Sequence, residues 1–297
     1  MSTEIKTLIP DIRKLLEAKE GGWFSPELSN SFASEISSRL TLHFNSTRER
    51  PTLRMSQMGP KCPRALWYSI HHPELDEPLP SWAMVKYAFG HIIEGLAIGL
   101  AKASGHEVLG EQDEIFVDGI RGHRDCVIDG CIVDVKSAAS PSFKKFQDGS
   151  IAQDDLFGYL DQLDGYLLGS VDDPLVRNKD TAYLLAIDKQ LGHMCLHEHK
   201  ITADRAENYR RRVELYRSIV ELDAPPKCEC GVQKDGESGN QILEVKASYS
   251  PQKHSCFPER RTIITSRGPK YYTKIIKYPK YQGVPLVEID KYGNIVL

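Results

Sequence analysis

At 297 residues and 33.5 kDa, with 40% hydrophobic and 27% charged side chains, the chain can bury one large core with appended ends and is too apolar for intrinsic disorder. A net charge of -3 and a pI near 6.4 exclude a uniformly basic nucleic-acid-binding surface, yet residues 251–281 hold eight Lys or Arg against Glu259 alone. The longest apolar run, around 92–101, is broken by Glu94 and glycines short of the ~18 residues of a membrane span, and Met1-Ser2-Thr3-Glu4 lacks the basic start of an export signal, so no membrane association is expected.

In chain order, 5–20 and 26–44 carry helical spacing, the second through Leu28, Phe32, Ile36 and Leu40, with Gly21-Gly22 between them. Residues 73–80, with three prolines and three acids, read as a surface loop. A helix is expected over 82–104, with Gly105 placed to end it in a left-handed cap. Strands follow at 107–117, 122–128 and 131–137, the last two joined by the hairpin signal Asp129-Gly130. A helix over 153–168, strands over 181–188 and 192–199, and a charged helix over 202–222 stopped by Pro225-Pro226 complete the pattern. This order predicts an α/β fold with a mixed central β-sheet flanked by helices. A helical N-terminal region is expected over 1–80, the core over 81–225 and a cysteine-containing basic C-terminal region over 226–297.

A two-residue turn at Asp129-Gly130 fixes the pairing register: Ile128 faces Cys131, Val127 faces Ile132, Cys126 faces Val133 and Asp125 faces Asp134. Two acids directly opposite repel unless something neutralises them, and a divalent cation would do so. Alternation puts Lys136 on the same face as both acids, with Val133 and Val135 turned to a core on the other. Hard oxygen ligands suit Mg²⁺ or Mn²⁺, and a nearby ammonium can orient a water or stabilise charge on a phosphate, so the pattern suits phosphodiester hydrolysis. Asp235 and Glu244, followed by Lys246, repeat the spacing, but Asp235-Gly236-Glu237-Ser238 is a poor strand.

These residues resemble the PD-(D/E)XK nuclease superfamily, particularly the RecB-like exonuclease group that includes AddB and the CRISPR-adaptation iron-sulfur exonucleases. Gly122-His123-Arg124-Asp125 and Ile132-Val133-Asp134-Val135-Lys136 look like its second and third motifs, and Gln162 and Tyr166 match its Gln-x-x-x-Tyr helix. Glu94, four residues after Gly90, corresponds to its first motif and to a further metal ligand. His91 lies about 60° away on an ideal helix, as a substitute ligand or a surface residue. The resemblance implies a restriction-endonuclease-like core and a Mg²⁺- or Mn²⁺-dependent deoxyribonuclease acting in recombination, repair or replication. The chain's size as a free-standing unit agrees with a phage-encoded enzyme. The alternatives are a non-cutting DNA-end-binding recombination protein, a structure-selective endonuclease and a restriction enzyme. No Gly-x-x-x-x-Gly-Lys-Ser/Thr phosphate loop is present, so unwinding would call for a helicase, or a single-strand annealing or binding protein, as partner.

Seven cysteines form an odd set that fits a reducing compartment, by default the cytoplasm, or the host cytoplasm of a phage-encoded protein. Cys126, Cys131 and Cys195 sit in strand-like apolar runs and read as small core residues. Cys62, in Pro60-Lys61-Cys62-Pro63-Arg64, and Cys228, Cys230 and Cys256 bracket the core. They are similar to the four thiolates that hold a [4Fe-4S] cluster in iron-sulfur members of the group, with zinc and unligated thiols as alternatives. Ser250 stands where a further ligand would be expected. For DNA, Lys144 and Lys145 follow the site strand, and Lys270, Lys274 and Lys277 interleave with Tyr271, Tyr272 and Tyr278 in a mixture suited to phosphate contact and base stacking. A hairpin with solvated lysines is the other reading of that tail.

Overall fold

A computed structural model describes residues 3–18, 24–45, 51–266, 268–280 and 286–296. Gly21-Gly22 and Arg267 lie outside the described residues. The N-terminal half forms α1 (Leu8–Leu16), α2 (Pro26–Asn45), α3 (Pro63–His71) and α4 (Ser81–Ala103). Strands β1 (Val108–Leu109), β2 (Glu114–Val117), β3 (Ile120–His123), β4 (Cys126–Ile128) and β5 (Cys131–Ala138) follow. Next come α5 (Ser140–Gln147), α6 (Tyr159–Gly169), β6 (Thr181–Asp188), β7 (Met194–Lys200) and α7 (Ala203–Val220). The remainder holds β8 (Val232–Lys234), β9 (Gln241–Leu243), α8 (Val245–Ser248), α9 (Lys253–Cys256), β10 (Arg261–Thr265), β11 (Gly268–Lys274) and β12 (Val287–Ile289).

The chain divides into two compact units, each built from separated segments. The first comprises Met1–Glu49, Leu53–Gly59 and Met84–Val213, and the second Arg50–Thr52, Pro60–Ala83 and Glu214–Leu297. A mixed five-stranded sheet in the order β1-β4-β5-β6-β7 forms the centre of the first unit, with β5 and β6 parallel and the other pairs antiparallel. Cys126, Ile128, Val133, Val135, Tyr183 and Leu185 on one sheet face pack with Leu8 and Ile12 of α1, Phe32 of α2 and Ala97, Ile98 and Ala101 of α4. α5 and α6 also pack against the sheet strands. The expected mixed sheet flanked by helices is therefore the observed architecture.

Three of the four expected pairs of β4 and β5 are found, Ile128 with Cys131, Val127 with Ile132 and Cys126 with Val133, and the reason is the turn; Asp125 and Asp134 are not a ladder pair. Asp129 (φ 50°) and Gly130 (φ 79°) both take the left-handed region that a two-residue hairpin turn requires. Asp129 is then locked from outside: its carboxylate pairs with His106 Nδ1 at 2.6 Å and accepts the Glu107 N–H at 3.1 Å. His106 is delivered there by the end of α4, where the Gly105 and His106 N–H groups donate to the Lys102 and Ala101 carbonyls, both at 3.1 Å, in the double-bonded cap expected at Gly105.

Several local expectations change: the strands expected over 107–117 and 122–128 are broken into β1 and β2 and into β3 and β4, with Gly110 and Gln112 in the left-handed region between the first two. α6 starts at Tyr159 rather than 153, because Gly158 is left-handed (φ 76°) and Asp155 caps the helix start through the Gly158 and Leu160 N–H groups at 2.9 and 2.8 Å. Gly158 also meets the backbone of Gly59 so closely that a Cβ there would lie 2.3 Å from Gly59 Cα. Residues 140–147, for which the sequence pattern assigned no element, form α5 with Pro141 in its first turn. α4 is the helix expected over 82–104, but its apolar stretch, expected to fall short of a membrane span, has the length and composition of one over Ala83–Ala103 at mean hydropathy 1.2. Ala97, Ile98, Leu100 and Ala101 are buried in the first unit, as in a core helix. Gly130→Ala should lower stability by about 1–2 kcal/mol in urea titration, since alanine resists the left-handed turn; an unchanged midpoint would mean that the turn does not set the register.

Candidate functional site

The strand ladder stops at Cys126, and the next residue uses its side chain in place of its backbone: Asp125 Oδ2 accepts the Val135 N–H at 2.7 Å. This holds Asp125 beside Asp134, whose side chain is 2% exposed. Lys136, two residues along β5, forms an ion pair with Asp134 Oδ2, yet that buried oxygen receives no hydrogen bond of good geometry. Glu94 reaches the same place from α4. Its Oε1 accepts the Gln112 side-chain amide at 2.8 Å and pairs with Arg39 of α2. The Gln112 amide also reaches Asp125 Oδ1 at 3.4 Å. Glu94, Asp125, Asp134 and Lys136, which the sequence reading grouped, are thus brought together.

Crowding three carboxylates in a recess penalises their charged forms. Burial, then Glu94, pushes Asp125 up to about 7. Burial, reinforced by Asp125, pushes Asp134 to about 6. Glu94 is also raised by burial, against the lowering pull of Arg39. Burial opposes the charge on Lys136, but Asp134 and Asp125 together outweigh it and hold the ammonium protonated. Three buried, mutually repelling carboxylates offset only in part by Lys136 and Arg39 are the oxygen-donor chemistry that a hard divalent cation satisfies, so the residues present fit Mg²⁺ or Mn²⁺.

The Gln-x-x-x-Tyr pair has a positioning geometry. Gln162 Nε2 donates to the Tyr166 hydroxyl, which donates to the His123 carbonyl at 2.5 Å, fixing the backbone two residues before Asp125. Tyr166 is 2% exposed, and burial followed by the charges of Asp134 and Asp125 raises its pKa. His91 lies at the margin, its Nδ1 3.9 Å from Glu94 Oε2 and its ring 5.0 Å from that of His43. Burial, then His43 and Arg39, lowers its pKa. Three neighbours went unnoticed in the sequence: Arg39, Gln112 and Tyr159, whose ring centroid lies 4.8 Å from Lys136 Nζ. Only the unusual φ of +58° at Gln112 marks any of them, and it is not visible in sequence.

In the second unit the Sγ atoms of Cys62, Cys228, Cys230 and Cys256 all lie within 4.8 Å of one another, as grouped from sequence. Cys62 immediately precedes α3, accepts the Glu229 N–H at 3.3 Å and lies 3.9 Å from Cys228 Sγ. Hydrogen bonds from Cys230 and Cys256 stabilise its thiolate, lowering its pKa, while those of Cys230 and Cys256 rise. Four convergent sulfurs with a backbone donor on one of them fit a thiolate-bound metal centre. Ser250 instead donates to Gln252 at 3.2 Å.

The rival acid pair is occupied structurally: Asp235 pairs with Lys270 at 2.8 Å and accepts the Tyr272 hydroxyl at 3.0 Å, and Glu244 precedes α8. This places Lys270 in an ion pair and makes Tyr272, 1% exposed, a core residue, which corrects the stacking role expected of it. Tyr271 is half-buried against Lys253 and Arg260, each 5.1 Å from its ring centroid. The tail forms the hairpin β10–β11, with Lys274 and Lys277 exposed. In the first unit Lys144 is exposed at the end of α5, and Lys145 pairs with Asp154.

The raised carboxylates set the sign of a pH effect. With folded pKa values above the unfolded ones, protonation of this site favours folding below about pH 4, and that stability is lost as pH rises through about 6 to 7. In EDTA at pH 8, Asp134→Asn should therefore raise stability by an amount on the order of 2 kcal/mol, a gain that shrinks towards pH 4. Melting curves across that range test it, and a gain independent of pH would show that charge crowding is not its cause.

No family model and no curated protein matches the chain. Among solved structures it resembles SSO0001, with 18% identity and a TM-score of 0.40 over 75% of this chain and 95% of that one. It also resembles LHK-Exo of Laribacter hongkongensis, an alkaline exonuclease, in complex with dAMP, with 12% identity and a TM-score of 0.38 over 65% and 92%. A phage-related exonuclease of Haemophilus somnus 129PT gives 12% identity and a TM-score of 0.32 over 74% and 93%. Likeness at this level assigns neither family nor activity.

Proposed function

We propose that the chain is a Mg²⁺- or Mn²⁺-dependent DNA exonuclease of the PD-(D/E)XK, RecB-like kind. The observation that carries this reading is the convergence of Glu94, Asp125 and Asp134 with Lys136, three crowded carboxylates whose buried Asp134 Oδ2 has only the Lys136 ammonium beside it, without good hydrogen-bond geometry. Glu94, Asp125 and Asp134 would hold the cation, with His91 at the margin; when bound, it supplies Lewis-acid polarisation of a phosphate oxygen and a lowered water pKa. Lys136 keeps its proton under the pull of two aspartates and presents positive charge where a phosphate gains negative charge. Gln162 and Tyr166 act through the His123 backbone to hold Asp125 in place. Hydrolysis adds water across one P–O bond of the backbone.

Lys144, near the site strand, and Lys274 and Lys277 in the second unit are the candidates for phosphate contact, while Lys145 and Lys270 would have to exchange an internal ion pair for one with DNA. A role in recombination, repair or replication, a phage origin, a helicase or annealing protein as partner and a cytoplasmic setting belong to the same reading. Seven free thiols agree with a reducing compartment.

End-labelled single- and double-stranded DNA, with RNA as a control, should be shortened from an end when Mg²⁺ or Mn²⁺ is added. Asp125→Ala, Asp134→Ala and Lys136→Ala should each lower the rate by at least about 100-fold with DNA binding retained. Internal cuts would favour a structure-selective endonuclease, and binding without any cleavage the end-binding protein.

For the four cysteines we propose a metal centre, a [4Fe-4S] cluster on the resemblance. The sulfur spacing favours zinc as the second reading, since four sulfurs within 4.8 Å surround one tetrahedral ion with little movement, whereas a four-iron cluster needs them spread further apart. Protein purified without oxygen should carry iron and sulfide, or one zinc per chain. Cys62→Ser should lose metal and Cys195→Ser should not. A metal-free wild-type protein would leave the thiols as unligated neighbours.

A further inference from the structure

We propose that Arg39 and Gln112 are positioning residues of the carboxylate centre: together they fix the Glu94 carboxylate against Asp125 in the arrangement that receives a divalent cation. The proposal rests on the metal-centre reading above and deepens it. Arg39 comes from the N-terminal helix α2, which sequence placed outside the core. It is 6% exposed, and its guanidinium spans Glu35, at 2.6 Å from Nε, and Glu94, paired with Nη1. Nη2 is buried and has no hydrogen-bond partner among the described residues. An arginine in that position does not serve solubility, and its charge is directed at the one cation ligand that comes from a helix.

Gln112 grips Asp125 at both ends. Its backbone N–H donates to the Asp125 carbonyl at 3.1 Å, while its side-chain amide reaches Asp125 Oδ1 at 3.4 Å and Glu94 Oε1 at 2.8 Å. It does so from a backbone angle of +58°, which side-chain-bearing residues rarely adopt. The turn is framed by Arg124, 1% exposed, which contacts the Gly110 carbonyl at 3.3 Å, Asp113 at 2.8 Å and Asp173 at 2.5 Å. A turn needing only this shape would be served better by glycine or asparagine. The glutamine is explained by its amide, which bridges two like-charged ligands. Oε1 is thereby committed to Arg39 and Gln112, while Oε2 lies 3.9 Å from His91 Nδ1.

The distinguishing variant is Gln112→Gly, which relieves the backbone and deletes the amide. Stability and metal affinity should then move apart: an unchanged or higher melting temperature in EDTA, with Mn²⁺ binding to the full chain, followed by electron paramagnetic resonance without DNA, weakened about 10–100-fold. Arg39→Met should weaken Mn²⁺ binding similarly, with Arg39→Lys intermediate because it keeps the charge but not the fork. In a Glu94→Gln background the Arg39→Met change should have little further effect. Wild-type affinity in folded Gln112→Gly, or an Arg39→Met loss undiminished in Glu94→Gln, overturns the proposal alone. A wild-type chain that binds no Mn²⁺ overturns the metal-centre reading and this proposal with it.

Discussion

Like-charge crowding at Glu94, Asp125 and Asp134 is the constraint around which the first unit is organised. Three carboxylates withdrawn from water repel one another and resist ionisation, so each needs a compensating group held in place by rigid structure. Asp125 has the Val135 N–H, Asp134 has Lys136, and Glu94 has Arg39 and Gln112. Each partner comes from an element whose position depends on the core. β5 is fixed by pairing on both sides, and its opposite face is sealed by Val133 and Val135 against helices α1, α2 and α4. Loosening that packing would release the charges before it unfolded the sheet.

What the sequence disclosed follows the range of the physics involved. The β4–β5 register was legible because a local turn, Asp129-Gly130, dictates it, and the bounds of β6 were legible because Thr181–Asp188 is a continuous buried β-type run. The start of α6 was misplaced because the local cap formed by Asp155 and the left-handed Gly158 was passed over, and the close approach of Gly158 to Gly59 joins residues about a hundred positions apart. Arg39 and Gln112 were invisible for a different reason: they reach Glu94 across long stretches of chain, and nothing in their own neighbourhoods announces a partner. In the tail, alternation of lysine and tyrosine suggested a surface, but Asp235 supplies a half-buried acceptor for Tyr272 and a counter-charge for Lys270.

The second unit sets its acids against basic and amide groups without such crowding of like charges. Glu77 takes both Arg260 and Lys253, the latter at 2.9 Å, and Asp76 accepts the Gln252 amide at 2.5 Å. Trp67 Nε1 donates to the Leu222 carbonyl at 2.8 Å, and the Lys61 N–H to the Tyr216 hydroxyl at 2.9 Å. These bonds join an early and a late segment within one unit, and the four cysteines lie along the same seam. Charges at this seam are matched, whereas those at Glu94, Asp125 and Asp134 are left in excess.

That seam has a consequence for biosynthesis. Residues 60–83 belong to a unit whose other main segment begins at Glu214, so on the ribosome they wait while residues 84–213 are made. At typical elongation rates that interval lasts roughly 6–26 s, long enough for the central sheet of the first unit to form first. The three partner sulfurs of Cys62 are complete only once Cys256 has emerged, so the four-thiol cluster can assemble only after the segment carrying Asp125 and Asp134 has been made.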